Sequence, residues 1–567
     1  VTDLEWTGRR DAAVFGAVFL VVLVVAILTA QDYGIASDVG NYFMDSLRQL
    51  TWLRGLGEGL LHGRPGDWLA SDTVLTHWRT NAARIPHPPL SRELAGLSYA
   101  ALRGPLGIVS SYRLPTMTGF ALLVAAAGWF VRRGRGSLAE GLGASAAVAL
   151  TPALFAYGHL ALTDMILAVF WFLSVATLET HLRRGGRRWL VASGLLAGAA
   201  CATKFTGVLL APVLAGWLLW RGRWTWKGAL ILAASALAVF LVVNPVMWVE
   251  PLRGIQWFVG ASVERSEHAW TRIQTYYFGR TYQFRPPWHY PFVWTAVVIP
   301  LPILACAGLG AVVDRGGRLS ALCGLNLAVL YGAALLPFTP LHDGIRLFLP
   351  ALPFLCLLAG VGAGWAARRV AEVVERPGRV RAPYITGAVL ALVFAPPARA
   401  LVRTHPYELS YFNGLIGGIR GASARGLEIS NLKEVLTPSL LDILAERIPA
   451  GAAVDPGFFF EEVCFYQRMG LADPGWHLET AIPALDLPAG QSVWVTCASD
   501  PAANWAAIDR SPQPPEYLFV LNRRGFASSE EKALLDRGHP FFRLSLEDVP
   551  LMEVFRLEPD RGGRAHD

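Results

Sequence analysis

Charge is scarce in this chain. Asp, Glu, Lys and Arg make up 16% of the 567 residues against 53% hydrophobic, and the mean hydropathy is +0.39. Soluble chains carry about 25% charged residues, so a soluble globular protein is excluded and a multi-spanning membrane protein is indicated. Cysteine is also sparse: there are six, none at metal-ligand spacing. Cys201, Cys306, Cys323 and Cys356 lie in apolar runs and read as inert core residues. Cys464 and Cys497 fall in a more polar C-terminal part, where they can pair only if that part is extracytoplasmic. Internal repeats and low-complexity tracts are lacking, as are a catalytic triad, a phosphate-cradling glycine loop and a metal motif in the C-terminal part. The net charge of +7 is nearly all arginine, clustered beside apolar runs. That is the mark of membrane orientation and not of nucleic-acid binding.

Apolar runs are abundant. Eleven reach or nearly reach bilayer length, at about 11–30, 112–131, 138–157, 164–180, 189–203, 205–221, 228–248, 291–311, 319–338, 345–366 and 383–400. The first is longer and more uniformly apolar than a signal peptide and reads as a retained helix. With this order the clusters around Arg9, Arg132, Arg183, Arg221, Arg315 and Arg368 to Arg381 all fall on one face. That face is cytoplasmic by the charge rule, and the N-terminus with it. Counting Leu90 to Leu102 as a crossing would break the pattern, so it reads as a short interfacial helix in the first outer loop. The short runs on either side of Lys204 read as a sunken hairpin with Lys204 at its tip.

The expected architecture is therefore a polytopic α-helical membrane protein of about 11 transmembrane helices plus interfacial helices. Residues 1–400 form the membrane domain. Residues 401–567 form a soluble, extracytoplasmic α/β domain, with strand-like runs at Ala452–Phe460, Ser492–Ala498, Tyr517–Asn522 and Phe541–Leu546. Helix-like runs lie between them at Leu432–Arg447 and Ser529–Arg537.

Polar groups in tight links between apolar helices are costly unless they serve a cavity or a partner. Here they gather on the outer face. Asp38 follows the first apolar run and precedes Tyr42 by four residues, which puts both on one side of any helix starting there. His87 opens the HPPL stretch before the interfacial helix; His159 and Asp164 occupy the second outer loop; Lys204 tips the hairpin; His342, Asp343 and Arg346 open a late helix. A carboxylate that accepts a proton, a second acid, and cations that hold an anion suit transfer of a group from an anionic donor. Blander roles exist for each: a helix cap for Asp38 or Asp164, an ordinary interfacial histidine for His87, a snorkelling Lys204, a membrane-anchoring Arg346. His159 with Asp164 is also a partial metal-ligand set that lacks a third member.

In their order, Asp38-x-x-x-Tyr42, HPPL from His87, Asp164, TKFTG around Lys204 and RLFLPALP from Arg346 resemble the C-type integral-membrane glycosyltransferases. The branch resembled is that of the protein O-mannosyltransferases and bacterial aminoarabinose transferases, over residues 10–370. The stretch HPYELSYFNGLIGG (His405–Gly418) is similar to the tail of bacterial members. The resemblance implies a polyprenyl-phosphate sugar donor with its tail in the lipid bilayer, and transfer to an extracytoplasmic acceptor that is a protein, lipid or glycan. Asp38 then matches the catalytic base, and His87, Lys204 and Arg346 match donor-phosphate cations. Asp164 matches the second-loop acid of acceptor or metal contact, with His159, Tyr42 and His342 around the substrates. Need of a divalent cation differs within the branch and is left open. Many relatives have Asp-Glu where this chain has Asp38-Val39, so no role of that Glu carries over. The Arg- and Ala-rich composition points to a bacterial cytoplasmic membrane. The rival readings are a flippase for a lipid-linked sugar and a non-catalytic membrane subunit. Transporters commonly show repeated halves or helices broken at the midplane, and the sequence has no repeated half.

Overall fold

The computed structural model describes residues 2–78, 87–267, 274–283, 285–337, 339–374, 382–471, 475–478, 480–483, 492–497, 508–510 and 515–557. The chain forms two compact units. The first is Val1–Ala30, Asn41–Ile273 and Gln283–Ile416; the second is Gln31–Gly40, Gln274–Tyr282 and Gly417–Asp567.

The first unit is helical. Among the described residues six helices are long and apolar enough to cross a membrane: Gly8–Leu28, Leu90–Arg135, Thr163–Arg184, Arg318–Leu335, Arg346–Val374 and Ala382–Thr404. Counting two bent pairs as one span each brings the number to eight: Leu138–Ala149 with Pro152–His159, bent by 63°, and Tyr290–Val298 with Leu301–Val313, bent by 113°. The sequence led to an expectation of about eleven. Every apolar run is helical, but Arg187–Cys201, Phe205–Trp220 and Trp226–Val242 hold fewer than 18 residues each. The bends fall where proline interrupts the ladder, at Pro152 and at Pro300 with Pro302, because proline lacks the N–H that continues it. Leu90–Leu102, expected as a separate interfacial helix, runs toward the next crossing, but Gly107 breaks the helix there with φ 74° and ψ 175°.

The Leu352–Val374 helix is the buried centre of this unit. Gly360 and Gly362 let it meet its neighbours backbone to backbone: a Cβ on Gly360 would lie 2.3 Å from the Ala144 nitrogen, and one on Gly362 2.0 Å from the Cys306 oxygen. Small residues at such crossings are what allows close packing where lipid supplies no hydrophobic drive. The 113° bend is sealed by Asn413. Its Nδ2 donates to the carbonyls of Ala296 and Ile299 at 2.7 Å each, and its backbone N–H to that of Val297 at 2.7 Å. The His405–Gly418 motif thus includes a stitch that satisfies helix-end carbonyls.

The second unit is α/β. Strands Ala453–Asp455 (β3), His477–Leu478 (β4), Tyr517–Leu521 (β8), Phe542–Leu546 (β9) and Val549–Arg556 (β10) form a mixed sheet of order β4-β3-β8-β10-β9. Pairing is parallel in β4-β3-β8 and antiparallel from β8 to β9. A hairpin, Thr275–Tyr277 (β1) with Arg280–Tyr282 (β2), and an antiparallel sheet of Thr480–Pro483 (β5), Ser492–Cys497 (β6) and Ile508–Arg510 (β7) complete it. The helix expected at Leu432–Arg447 starts only at Pro438, capped by Thr437, and its first residues are instead an irregular buried stretch. Ser529–Arg537 is helical as expected, with a capping box from Ser528 and Glu531. Cys464 is disulfide-bonded. The side chain of Cys497 lies outside the described residues.

Candidate functional site

Three links of the helical unit bring four charges together. Asp164 enters the Thr163–Arg184 helix, Lys204 stands at the tip after Arg187–Cys201, and Arg346 opens the turn Arg346–Ala351. Lys204 Nζ lies 2.6 Å from Asp164 Oδ1, and Arg346 Nε lies 3.1 Å from Asp164 Oδ2. Arg346 Nη1 reaches Asp343 Oδ2 at 3.1 Å, and His342 Nδ1 meets the same oxygen at 2.9 Å. Asp164, Lys204, Asp343 and Arg346 are all buried. Asp164 is not a cap: Leu162 holds that position, and both Asp164 oxygens go to cations. Lys204 does not snorkel and Arg346 is not a surface anchor. Removing one partner from such a buried set strands an uncompensated charge, at a cost of about 3–5 kcal/mol. Asp343 holds its place with φ 54°, and the following Gly344 N–H donates to the Tyr290 hydroxyl at 2.9 Å.

Tyr42 and His87 form a second group in the same unit, their rings edge-to-face at 6.3 Å. His87 also packs on Phe205, the neighbour of Lys204, at 5.8 Å. The His87 and Phe205 rings border a cleft lined also by Arg92, Trp78, Trp257 and Phe258. Arg92 is a residue that motif reasoning passed over. Its guanidinium is 2% exposed; Nη2 donates to the His87 carbonyl at 2.6 Å, and Nε stands 3.6 Å from Asp45 Oδ2. Its Cζ lies 5.6 Å over the Tyr42 ring, while Nη1 is buried with no hydrogen-bond partner. Asp45 also pairs with Arg48, so one carboxylate serves two guanidinium groups. In the Asp164 group Lys204 and Arg346 meet two carboxylates, whereas Arg92 and Arg48 share the Asp45 carboxylate beside the cleft. The only sequence signal for Arg92 was a charge two residues inside an apolar interfacial helix.

His159 is held elsewhere in this unit. Its Nδ1–H donates to the Phe155 carbonyl at 2.8 Å, and its Nε2 lies 3.0 Å from the Thr29 hydroxyl. These bonds tie the ring to two helices, away from the Asp164 and Lys204 pair.

Asp38 belongs to the second unit. The helix Val39–Leu61 begins after it, so Asp38 and Tyr42 do not share a helix face. Asp38 has φ 72°, whereas a helix N-cap takes an extended backbone. It sits third in a turn closed by the Val39 N–H on the Ala36 carbonyl at 3.1 Å, a place that favours Gly or Asn. A positive φ costs a non-glycine residue about 1–2 kcal/mol. Such strain collects at functional positions.

Among the described residues no group of three or more His, Cys, Asp and Glu is arranged to hold a metal ion. The Asp164 oxygens face ammonium and guanidinium groups, which does not fit a metal ligand, and no step below is routed through one.

The resemblance drawn from the motifs is met in two comparisons. Residues 108–248, which carry His159, Asp164 and Lys204, match the family model of dolichyl-phosphate-mannose-protein mannosyltransferases. The chain is also similar to the crystal structure of ArnT from Cupriavidus metallidurans bound to undecaprenyl phosphate. There the TM-score is 0.50 at 15% identity, over 96% of this chain and 97% of that one. For apo ArnT from the same organism the TM-score is 0.47 at 16% identity, over 80% and 83%. At these identities the likeness is one of fold. No curated protein matches.

Proposed function

We propose that this chain transfers a single sugar from a polyprenyl-phosphate donor to an extracytoplasmic acceptor. The observation that carries the reading is the convergence of Asp164, Lys204 and Arg346, from three separate links, into one buried charge group in a fold shared with ArnT. A membrane bundle has no structural need for four buried charges, and such groups mark substrate sites.

In the proposed reaction the acceptor hydroxyl gives its proton to the Asp38 carboxylate as its oxygen bonds to the anomeric carbon. The bond from that carbon to the phosphate oxygen breaks, and its electron pair leaves with polyprenyl phosphate. The leaving group gains one negative charge and needs no proton. Lys204 and Arg346, held in position by Asp164, stabilise that charge, while His87 and Arg92 receive the phosphate at the mouth of the aromatic cleft. One displacement inverts the anomeric centre.

The test is release of free polyprenyl phosphate by the purified protein from a panel of polyprenyl-phosphate sugars. Release should depend on acceptor and fall about 10²-fold or more in Asp38→Asn, the loss of a general base. Donor that binds equally well to both proteins and is never turned over with any acceptor would move the flippase and accessory readings ahead.

A further inference from the structure

The residue proposed as base is held by the C-terminal part of the chain. Within the second unit, Tyr33 to Ala36 are buried against the irregular stretch 427–437, itself buried throughout. The Gly34 N–H donates to the Glu434 carbonyl at 3.1 Å, and the Ser37 N–H to the Leu432 carbonyl at 2.7 Å. Between them the Ile35 N–H donates to the Tyr466 hydroxyl at 3.1 Å. That hydroxyl donates in turn to the Leu436 carbonyl at 3.2 Å. Tyr466 is 1% exposed on the Phe460–Arg468 helix, so its hydroxyl is turned away from solvent toward this stretch. Gly34 is needed for the approach: a Cβ there would lie 2.4 Å from the Leu436 oxygen and 2.6 Å from the Glu434 oxygen. The clamp ends at Ser37, and the next residue is Asp38 with its left-handed backbone.

We propose that Tyr466 and the 432–436 backbone are positioning groups for Asp38, which makes the C-terminal α/β region part of the catalytic machinery and not only a cover or an acceptor-binding module. This rests on the reading of Asp38 as base. A turn strained at its third residue relaxes when the chain leading into it is released, and the carboxylate then moves off the line of attack. Displacement of a reacting group by about 1 Å can cost up to 10²-fold in rate.

The experiment uses the full-length protein in detergent or nanodiscs. Tyr466→Phe keeps the ring and removes the bridging hydroxyl; Gly34→Ala forces the two strands of chain apart. Two readouts are taken. Hydrogen exchange at the Ile35 and Ser37 amides reports the clamp without reference to activity, and should quicken in Tyr466→Phe. Turnover of the polyprenyl-phosphate sugar should show kcat lowered by about 10-fold or more with donor KM unchanged, as expected of misplacement without lost binding. In an Asp38→Asn background Tyr466→Phe should have no further effect, because a positioning group acts only through what it positions. Unchanged exchange, a wild-type kcat in Tyr466→Phe, or the same loss with and without Asp38 would each overturn the proposal. Quickened exchange in a protein that turns over no donor at all would sink the transferase reading and leave the clamp standing.

Discussion

At the scale of single residues, the informative contrast lies between Arg92 and the pair Lys204 and Arg346. All three are buried cations in the helical unit, but Lys204 and Arg346 already face two carboxylates, whereas Arg92 shares Asp45 with Arg48 and keeps one buried Nη1 without an acceptor. An incoming phosphate gains most from the cation whose charge is least spent. Arg92→Gln should therefore weaken binding of polyprenyl phosphate by about 10-fold to 10²-fold, the worth of a charge-assisted hydrogen bond, and leave binding of the corresponding alcohol unchanged. Arg92→Lys should restore part of the affinity only, because an ammonium cannot copy the planar fork that also serves Asp45 and the His87 carbonyl. Equal loss for phosphate and alcohol would place Arg92 in packing alone.

At the scale of elements, the bent helix pairs matter most, because each bend leaves carbonyls without helical partners at a depth where water is scarce. The 113° bend after Val298 is answered by a single residue, Asn413, which supplies three donors through its side chain and backbone. Asn413→Leu keeps a similar size and removes the two side-chain donors. Each carbonyl left unsatisfied in a buried setting costs about 1–3 kcal/mol. The variant should melt clearly below wild type by scanning fluorimetry in detergent, and Asn413→Asp, which offers no Nδ2–H, should not rescue it. A wild-type melting temperature for Asn413→Leu would show that the bend does not depend on this stitch.

At the scale of the whole molecule, buried acids make the stability of the second unit depend on pH. Among the buried carboxylic acids of the second unit, Glu428 and Glu462 are held well above the usual range. Burial pushes Glu462 up to about 7 against the pull of Lys433, 2.9 Å away. Burial likewise pushes Glu428 up to about 7, although Arg523 and the Arg524 and Gly525 N–H groups favour its ionised form. Both acids bind their proton more tightly folded than unfolded, where the usual value is 4.5. Below about 4.5 both states are protonated and nothing is lost; as pH rises from 4.5 through 7 the unfolded chain ionises first, and stability falls. The unfolding temperature of the second unit should thus be lower at pH 8 than at pH 5.5. Glu462→Gln, which keeps an acceptor for Lys433 and cannot ionise, should flatten that slope. The same slope in Glu462→Gln and wild type would remove Glu462 from the account.

Much of this protein was written in local pattern. Runs of apolar residues long enough for a bilayer declare helices wherever they stand, and a lone Lys204 or Asp164 in such a run is legible because a charge there is expensive in any context. The α/β character of the tail followed from short β-branched and aromatic runs in the same way, as did the motif order from Asp38 to Arg346. What periodicity could not state was how these pieces meet. Among the described residues six to eight of the eleven runs form helices long and apolar enough to cross, because bends at Pro152 and Pro300 and the lengths of the shorter helices depend on packing. The pairing of Asp164 with two cations, the sharing of Asp45 by Arg48 and Arg92, and the bond of His159 to Thr29 are contacts between residues far apart in the chain, decided by which helix faces which. Asp38 shows the same division. Its type and place were plain from the chain, but the hold of Tyr466 and the 432–436 backbone on the Gly34–Ser37 stretch leading into it comes from residues some 400 positions away, which only the folded molecule brings together.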